Sequence, residues 1–533
     1  MVLDQKQTPS THVEKRTVID GQQRLTTFQL FIAAFRDYCN EFELIDQAKE
    51  FGRFNLNEGM MVNRDEEKYK LWPTQVDRQF FKDVIDAGSK KNLELKYPEV
   101  REKRARKPNA RHLMVEGYLY FYEVIGVYLT EILNEFPQLT IQDVISQCLL
   151  ALKQSLKVVV IDLDQDDDPQ VIFETLNARG EPLLPGDLLR NYVFLKVARE
   201  GKDSAQYYET YWRRFEDEFW RTEIRQGRMT RPRGDVFLQT YLSLNANRDI
   251  SIKHLFVEYK HWVDRGSPKP FKNTDEELVS YNLYADAFEQ FEKEKVSDSR
   301  YDFLNAFDIG TASPLFVELI ASNVSSKAYS EIMHMVESYI IRRNICDSSQ
   351  KNYNRVFLSA AKVARDSKGD MLAIKSVLEG TDKALWPTDK AIEYSVENDN
   401  IYGRVGSLRL QYIFKKIEQS LRNSKTENVV VLDGLTIEHI MPQKWQDNWP
   451  IKNNEIIEDK RERIIGTIGN LTILTQPLNA SVSNSAWVIK QAEIEKQSLL
   501  KLNQEVIKNT TWTDQLIIER SRKLASIITN IWK

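Results

Sequence analysis

Cysteine is scarce. Cys39, Cys148 and Cys346 are the only three in 533 residues, and they are scattered. So odd and dispersed a set argues against a disulfide framework and a thiolate metal site, and for a reducing, cytoplasmic setting. Long apolar runs are missing too. No segment approaches the roughly 20 residues a membrane span requires. The polar N-terminus, MVLDQKQTPSTHVEKR, lacks the apolar stretch of a secretory signal. Nor is there a global excess of basic charge: the formal net charge is −4, so any surface for nucleic acid must be local. No internal repeat or low-complexity tract is present.

What is there fits a soluble globular protein, with 42% apolar and 29% charged residues. The length is too great for one core and implies two to four domains. Two local basic segments stand out. REKRARKPNAR holds Arg101, Lys103, Arg104, Arg106, Lys107 and Arg111; RQGRMTRPR holds Arg225, Arg228, Arg231 and Arg233. Blocks of like charge are often solvated loops, and these two are also the local candidates for a phosphate-binding surface.

In chain order, the first 16 residues carry no signal. Val18 and Ile19 then read as the end of a short strand and Asp20-Gly21 as a turn. Leu25, Phe28, Leu30, Phe31, Ala34, Phe35 and Tyr38 follow helical spacing. Asp20, Gln22, Gln23 and Arg24 therefore sit where a strand hands over to a helix, either as a polar turn and cap or as a phosphate site. Helices are expected over most of 60–155, including the apolar HLMVEGYLYFYEVIGVYLTEIL. LKVVVIDLD, residues 156–164, has the pattern of a buried strand. A helix from Pro169 to Ala178, a loop, and a second helix starting near Asp187 follow. Asn177, Arg179, Asp187 and Asn191 there read, on local pattern alone, as caps and turn formers. From about 200 to 420 the chain reads as amphipathic helices, with Arg342 and Arg343 inside an apolar one, either paired with acids or pointing at a ligand.

Residues 436–490 carry the clearest chemistry. TIEHIMPQKW leads through a charged spacer to GTIGNLTILTQPLNASVSNSAWVIK. LTIEHI reads as a strand ending at Glu438-His439 and NLTILT as a second strand. A helix then opens near Pro477 and Asn479 and carries Asn484, Trp487 and Lys490. Strand, loop, strand, helix is the order of a ββα-metal nuclease. A neutral histidine can act as base near pH 7. An acid and an amide oxygen can hold Mg²⁺ or Mn²⁺ with positions left for water and phosphate. His439 is thus the candidate general base, Glu438 and Asn479 the metal ligands, and Asn470 the residue that positions loop and histidine. Lys444, Asn484 and Lys490 are candidate phosphate or DNA contacts. Trp445 and Trp449 read as core rather than DNA contacts. A bare Glu-His pair would read as a strand cap; acid–His–x–x–Pro followed by GNL and an asparagine nine residues on is far more specific.

IEHIMPQ…GTIGNLTILTQPLNASVSNSAWVIK closely resembles the HNH nuclease domain of the GmrSD family of modification-dependent restriction enzymes. DGQQRLTT, residues 20–27, with FETLNARGEPLLPGDLLRN, residues 173–191, resembles the GmrS-like, ParB/sulfiredoxin-related domain of the same family. The resemblance implies a predominantly helical α+β chain in three parts: a nucleotide-binding domain over 1–200, a helical middle over 201–423 and an HNH module over 424–533. It implies that Asp20, Gln22, Gln23 and Arg24 belong to an NTP site, with Asn177, Arg179 and Asp187 closing it. It implies a nucleotide-regulated, metal-dependent endonuclease that cuts modified foreign DNA, such as phage DNA, in defence of the cell. Family members carry a longer segment before DGQQR, with a stretch like I-P-x-Y-Q-R-x-Y-W. Only 19 residues precede Asp20 here, so the expectation is an N-terminally truncated domain, from a truncated gene product, a wrongly chosen start or one piece of a split system. The partners expected are a second copy of the chain (a homo-oligomer) or a separately encoded N-terminal piece. The competing readings are a DNA-binding or NTP-sensing protein that does not cut, and an inactive remnant.

Overall fold

The computed structural model describes residues 1–5, 12–73, 77–99, 111–163, 184–226, 229–380, 386–425, 434–451 and 458–533. The chain is predominantly helical with few strands, and it divides into two compact units, Met1–Leu183 and Leu184–Lys533. No described helix is long and apolar enough to cross a membrane.

In the first unit, β1 (Val2–Gln5) pairs antiparallel with β2 (Arg16–Asp20) and parallel with β3 (Ile161–Leu163), in the order β2-β1-β3. β1 lies in the stretch that reads as featureless, because four residues with two polar side chains leave no periodicity to detect. β2 hands over to the helix Gln22–Glu41 through Gly21, whose φ of +103° favours glycine. Apolar spacing along that helix buries Leu30, Ile32, Ala33 and Phe35. It packs on the helices Ile45–Asn55 and Leu113–Glu135, around Phe51, Tyr118 and Ile125. The helix Ile141–Gln154 starts with a reciprocal Thr140–Asp143 capping box. The buried strand expected at 156–164 is realised differently. Only Ile161–Leu163 pair, and Leu156, Val158, Val159, Val160 and Ile161 are exposed. Among the described residues β3 takes only β1 as a neighbour, so its apolar run lies at an edge of the described sheet and not at its centre. The helix expected over Pro169–Ala178 and the basic run at 101–110 lie outside the described residues.

The second unit is built on a large core cluster running from Leu189 to Trp532, beside two smaller clusters, one around Trp445 and Trp512 and one around Leu474 and Ile494. The helix Pro185–Arg199 begins with proline at its first turn, where a missing N–H costs nothing. RQGRMTRPR, read as a charged loop, contributes to a hairpin, β4 (Glu223–Gln226) against β5 (Met229–Pro232). Its strands, EIRQ and MTRP, interrupt their few apolar residues with charged, polar and proline positions, and so they show no apolar alternation. Arg342 is buried inside the helix Ser326–Ile345 and does pair with an acid. It donates to Asp389 and to the carbonyls of Pro387 (2.8 Å) and Trp532 (2.5 Å). Arg343 stacks over Tyr339 and Tyr353. Trp532 is fully buried, and its indole N–H reaches Glu337 at 3.0 Å. The last helix, Asp514–Ile531, is thereby pinned to the helical bundle.

Trp532→Ala should cost about 3–5 kcal/mol, the range for deleting a buried aromatic, and the Glu337 carboxylate would lose a donor. A urea titration that shifts by much less would show that this pin is dispensable.

Candidate active site around the Glu438–His439 strand

β6 (Leu435–His439) and β7 (Leu471–Thr475) form an antiparallel ribbon in which Glu438 faces Thr472 and His439 faces Leu471. Both strands lie where the sequence puts them. The single helix expected after β7 is instead two, Gln476–Val482 and Trp487–Gln497, broken at Ser483, where φ is +28°. Asn484 lies in the break, exposed to solvent.

Side chains alternate along a strand, and the partners of Glu438 and His439 differ accordingly. Glu438 faces the helices that follow β7. It is 7% exposed, and its Oε1 accepts from Lys490 Nζ at 2.5 Å. Two residues back on the same face, Thr436 Oγ1 accepts from Asn479 Nδ2 at 2.9 Å; the Ile437 carbonyl accepts from the same nitrogen at 3.0 Å. Glu438 and Lys490 are thus brought together, with Asn479 held two residues back on the same face of the strand. Lys490 differs from the expected phosphate contact: it is fully buried, and it also donates to the His439 carbonyl at 2.7 Å. Burial pushes the Glu438 carboxyl up and the Lys490 ammonium down, while their mutual attraction opposes both shifts.

His439 leaves the other face. Its ring meets Tyr402 edge-on at 4.4 Å and 72°. It is 9% exposed, and its Nε2 is sealed from solvent without a hydrogen-bond partner among the described residues. Burial, aided by the Lys490 charge, pushes the imidazole down to about 4, so it is neutral at pH 7. Tyr402 sits 37 positions upstream on the short helix Ile401–Val405, and its backbone N–H donates to the Gly466 carbonyl at 3.1 Å. No local pattern marks it in the sequence.

Asn470 holds the segment after His439 in place. Its Oδ1 accepts from the Met441 N–H (2.8 Å) and from Trp512 Nε1 (3.2 Å). Its Nδ2 donates to the carbonyls of Met441 (2.8 Å) and Ile465 (3.0 Å). The GNL turn is set by close approach: a Cβ on Gly469 would collide with the Ile517 carbonyl and Ser521 of the last helix. Buried Arg520 donates to the carbonyls of Gly469 and Leu471, both at 2.7 Å. Glycine next to Asn470 was the legible signal of this crossing; Arg520 gave none. Trp445 and Trp449 are buried, as read. Lys444 is exposed on the loop after Pro442, and that loop is tied to the Asn484 turn by Asn448 Nδ2 donating to the Asn484 carbonyl at 2.9 Å.

The N-terminal candidates are less constrained. Asp20 closes β2, and Gln22, Gln23 and Arg24 are exposed in the first turn of their helix. Gln22 Nε2 donates back to the Val18 carbonyl at 2.9 Å. Asn177 and Arg179 lie outside the described residues. Asp187 is half-buried in the first turn of Pro185–Arg199, in the second unit. Beside it, Asp235, which sequence reasoning did not single out, accepts from the Gly186 N–H at 3.3 Å. Burial, with the Asp187 charge adding to it, pushes its carboxyl up to about 6.

Two outcomes follow from this packing. Gly469→Ala should destabilise the protein by about 3 kcal/mol, the upper range for overpacking, and a wild-type-like urea midpoint would show that the crossing can relax. The depressed His439 sets a pH dependence. Between pH about 6.5 and about 4 the unfolded chain binds a proton that the folded one excludes, so stability falls on acidification through that window. His439→Gln should flatten that slope; an unchanged slope would show that His439 is not the group responsible.

Comparison with curated proteins finds no match. The family model for the GmrSD restriction endonuclease N-terminal domain matches residues 1–194, and the one for the C-terminal domain matches residues 386–527. The second match spans Tyr402, both strands of the ribbon, Lys490 and Arg520. With both domains found in this order over more than half of its length, the chain belongs to the GmrSD family of restriction endonucleases.

Proposed function

We propose that this protein is a metal-dependent DNA endonuclease of the HNH, or ββα-metal, type, acting on modified foreign DNA under nucleotide control. One observation carries the reading. Glu438 and Asn479 share a face of the β6–β7 ribbon, His439 ends the same strand, and Asn470 clamps the residues that follow it.

The donor set suits a hard cation. With Lys490 on Oε1 and the Asn479 NH₂ group on β6, the oxygens left are Glu438 Oε2 and Asn479 Oδ1. No cluster of three or more His, Cys, Asp or Glu suited to a metal occurs among the described residues. Two oxygen donors fit an ion such as Mg²⁺ or Mn²⁺ that keeps several waters. Bound there, the ion would supply charge neutralisation at the departing oxygen of a phosphodiester.

The chain's own residues do the rest. His439 is neutral and so holds a lone pair for a water proton. With Nε2 sealed, Nδ1 is the nitrogen that takes the proton, and Tyr402 fixes the ring plane. Asn470 keeps the strand end from shifting as charge develops. Lys444 and Asn484, exposed on neighbouring loops, are the proposed contacts to the DNA backbone.

Nucleotide control is the reading for the first unit. The glycine-capped start of Gln22–Glu41 leaves its first N–H groups without helical partners, beside exposed Gln22, Gln23 and Arg24.

The experiment is cleavage of modified and unmodified DNA with Mg²⁺ or Mn²⁺, with and without NTP. His439→Ala should lower the rate by about 10²-fold or more, the scale of a lost general base, while DNA binding persists. Equal cleavage by the variant, or binding without nicking under every condition, refutes the reading.

A further inference from the structure

Lys490 is not placed to contact DNA. Its ammonium is fully buried at the centre of the site, bonded to Glu438 Oε1 at 2.5 Å and to the His439 carbonyl at 2.7 Å. A cation taken out of water is costly unless it is paired and hydrogen-bonded, and this one satisfies that requirement wholly from the candidate metal ligand and the backbone of the candidate base. Its helix, Trp487–Gln497, is turned by the break at Ser483, without which the expected single helix would continue past this point. The arrangement thus brings a lysine to the carboxylate that a metal would use.

We propose that Lys490 is a resident cation of the active site, a positioning residue that permanently holds one oxygen of Glu438 together with the His439 carbonyl. The inference rests on the nuclease reading and deepens it. Glu438 then has only its second oxygen for a divalent ion and binds it through that atom alone. An ammonium sharing the carboxylate also repels the incoming dication. The free protein therefore holds its metal weakly, and DNA phosphate supplies the missing negative charge. The same ammonium, through the His439 carbonyl, keeps the base in register with the metal side of the strand.

The test is Mn²⁺ binding to the full-length protein without DNA, by calorimetry, beside cleavage. Lys490→Met should bind Mn²⁺ about 10-fold or more tighter than wild type, yet cleave more slowly. Glu438→Gln should abolish Mn²⁺ binding. A purely structural lysine predicts the opposite pattern, with metal affinity and cleavage falling together. Unchanged or weaker Mn²⁺ binding by folded Lys490→Met overturns the proposal. Should that variant not fold, a crystal structure of the wild type with Mn²⁺ decides. Mn²⁺ on the second Glu438 oxygen with Lys490 still on Oε1 supports it; Lys490 displaced, or Mn²⁺ elsewhere, overturns it. An active wild type with this result failing removes only the resident cation. Undiminished cleavage by His439→Ala removes the nuclease reading itself.

Discussion

The side-chain amide of Asn470 makes four hydrogen bonds while fully buried, and those bonds join three separate pieces of chain. Two go to Met441, just past the end of β6; one goes to Ile465, at the end of the helix Glu458–Ile465; one comes from Trp512, just before the last helix. Two donors and two acceptor positions are all that an asparagine side chain has. Because the amide is fully buried, each bond is expensive to leave unmade, about 1–3 kcal/mol per unsatisfied group. The end of β6, where Glu438 and His439 sit, is thereby located by a residue some 30 positions away. Around this clamp the packing leaves little freedom: Gly469 lies against the last helix, Arg520 binds the carbonyls on either side of Asn470, and the buried Arg461–Asp514 pair ties the Trp449 carbonyl to the same helix.

The parts of this site that were legible in the sequence are those whose cause is local. β6 and β7 follow from β-branched and apolar runs, and Glu438, His439, Asn470 and Asn479 from residue chemistry at fixed spacing. The strand-to-helix handover at Gly21 was legible because only glycine accepts that backbone conformation cheaply. What was not legible has a distant cause. Tyr402 meets His439 because the helix Ile401–Val405 docks on Gly466, and Arg520 matters because the last helix crosses the GNL turn. The break at Ser483 was hidden among residues that a helix also tolerates. The apolar run before Asp164 has the composition of a buried strand, but composition does not say whether a strand finds one neighbour or two. At Lys490 the local pattern misleads about environment: a lysine three residues after Trp487 reads as a phosphate contact, and the break at Ser483 turns it inward.

The ribbon is not packed as a separable module. Leu435, Leu471 and Ile473 enter the core that runs from Leu189 to Trp532, whereas Leu474 packs on the other face with Leu478, Val482 and Ile494. One face of the ribbon is thus finished by its own following helices and the other by the helical region before it. The division runs through the candidate site. Glu438, Asn479 and Lys490 depend on the first face, and His439 depends on Tyr402 and the second.

Such a site places several charges in the interior, where they do little for stability. A buried pair such as Glu438–Lys490 or Arg461–Asp514 is often no more stabilising than apolar residues of the same size, but breaking one by removing a partner is costly. What these pairs supply is position. A carboxylate free to rotate could meet a cation in many geometries; one held at an oxygen by a fixed ammonium meets it in few. The stability must then come from elsewhere, and it does: from the aromatic core of the helical region and from Trp532, which closes it. Because that core also carries the helix bearing Tyr402, a shift among those helices changes the wall against which His439 rests while leaving Glu438 and Asn479 on their own face. The architecture therefore lets the wall beside His439 move without dismantling the Glu438–Lys490 side of the ribbon.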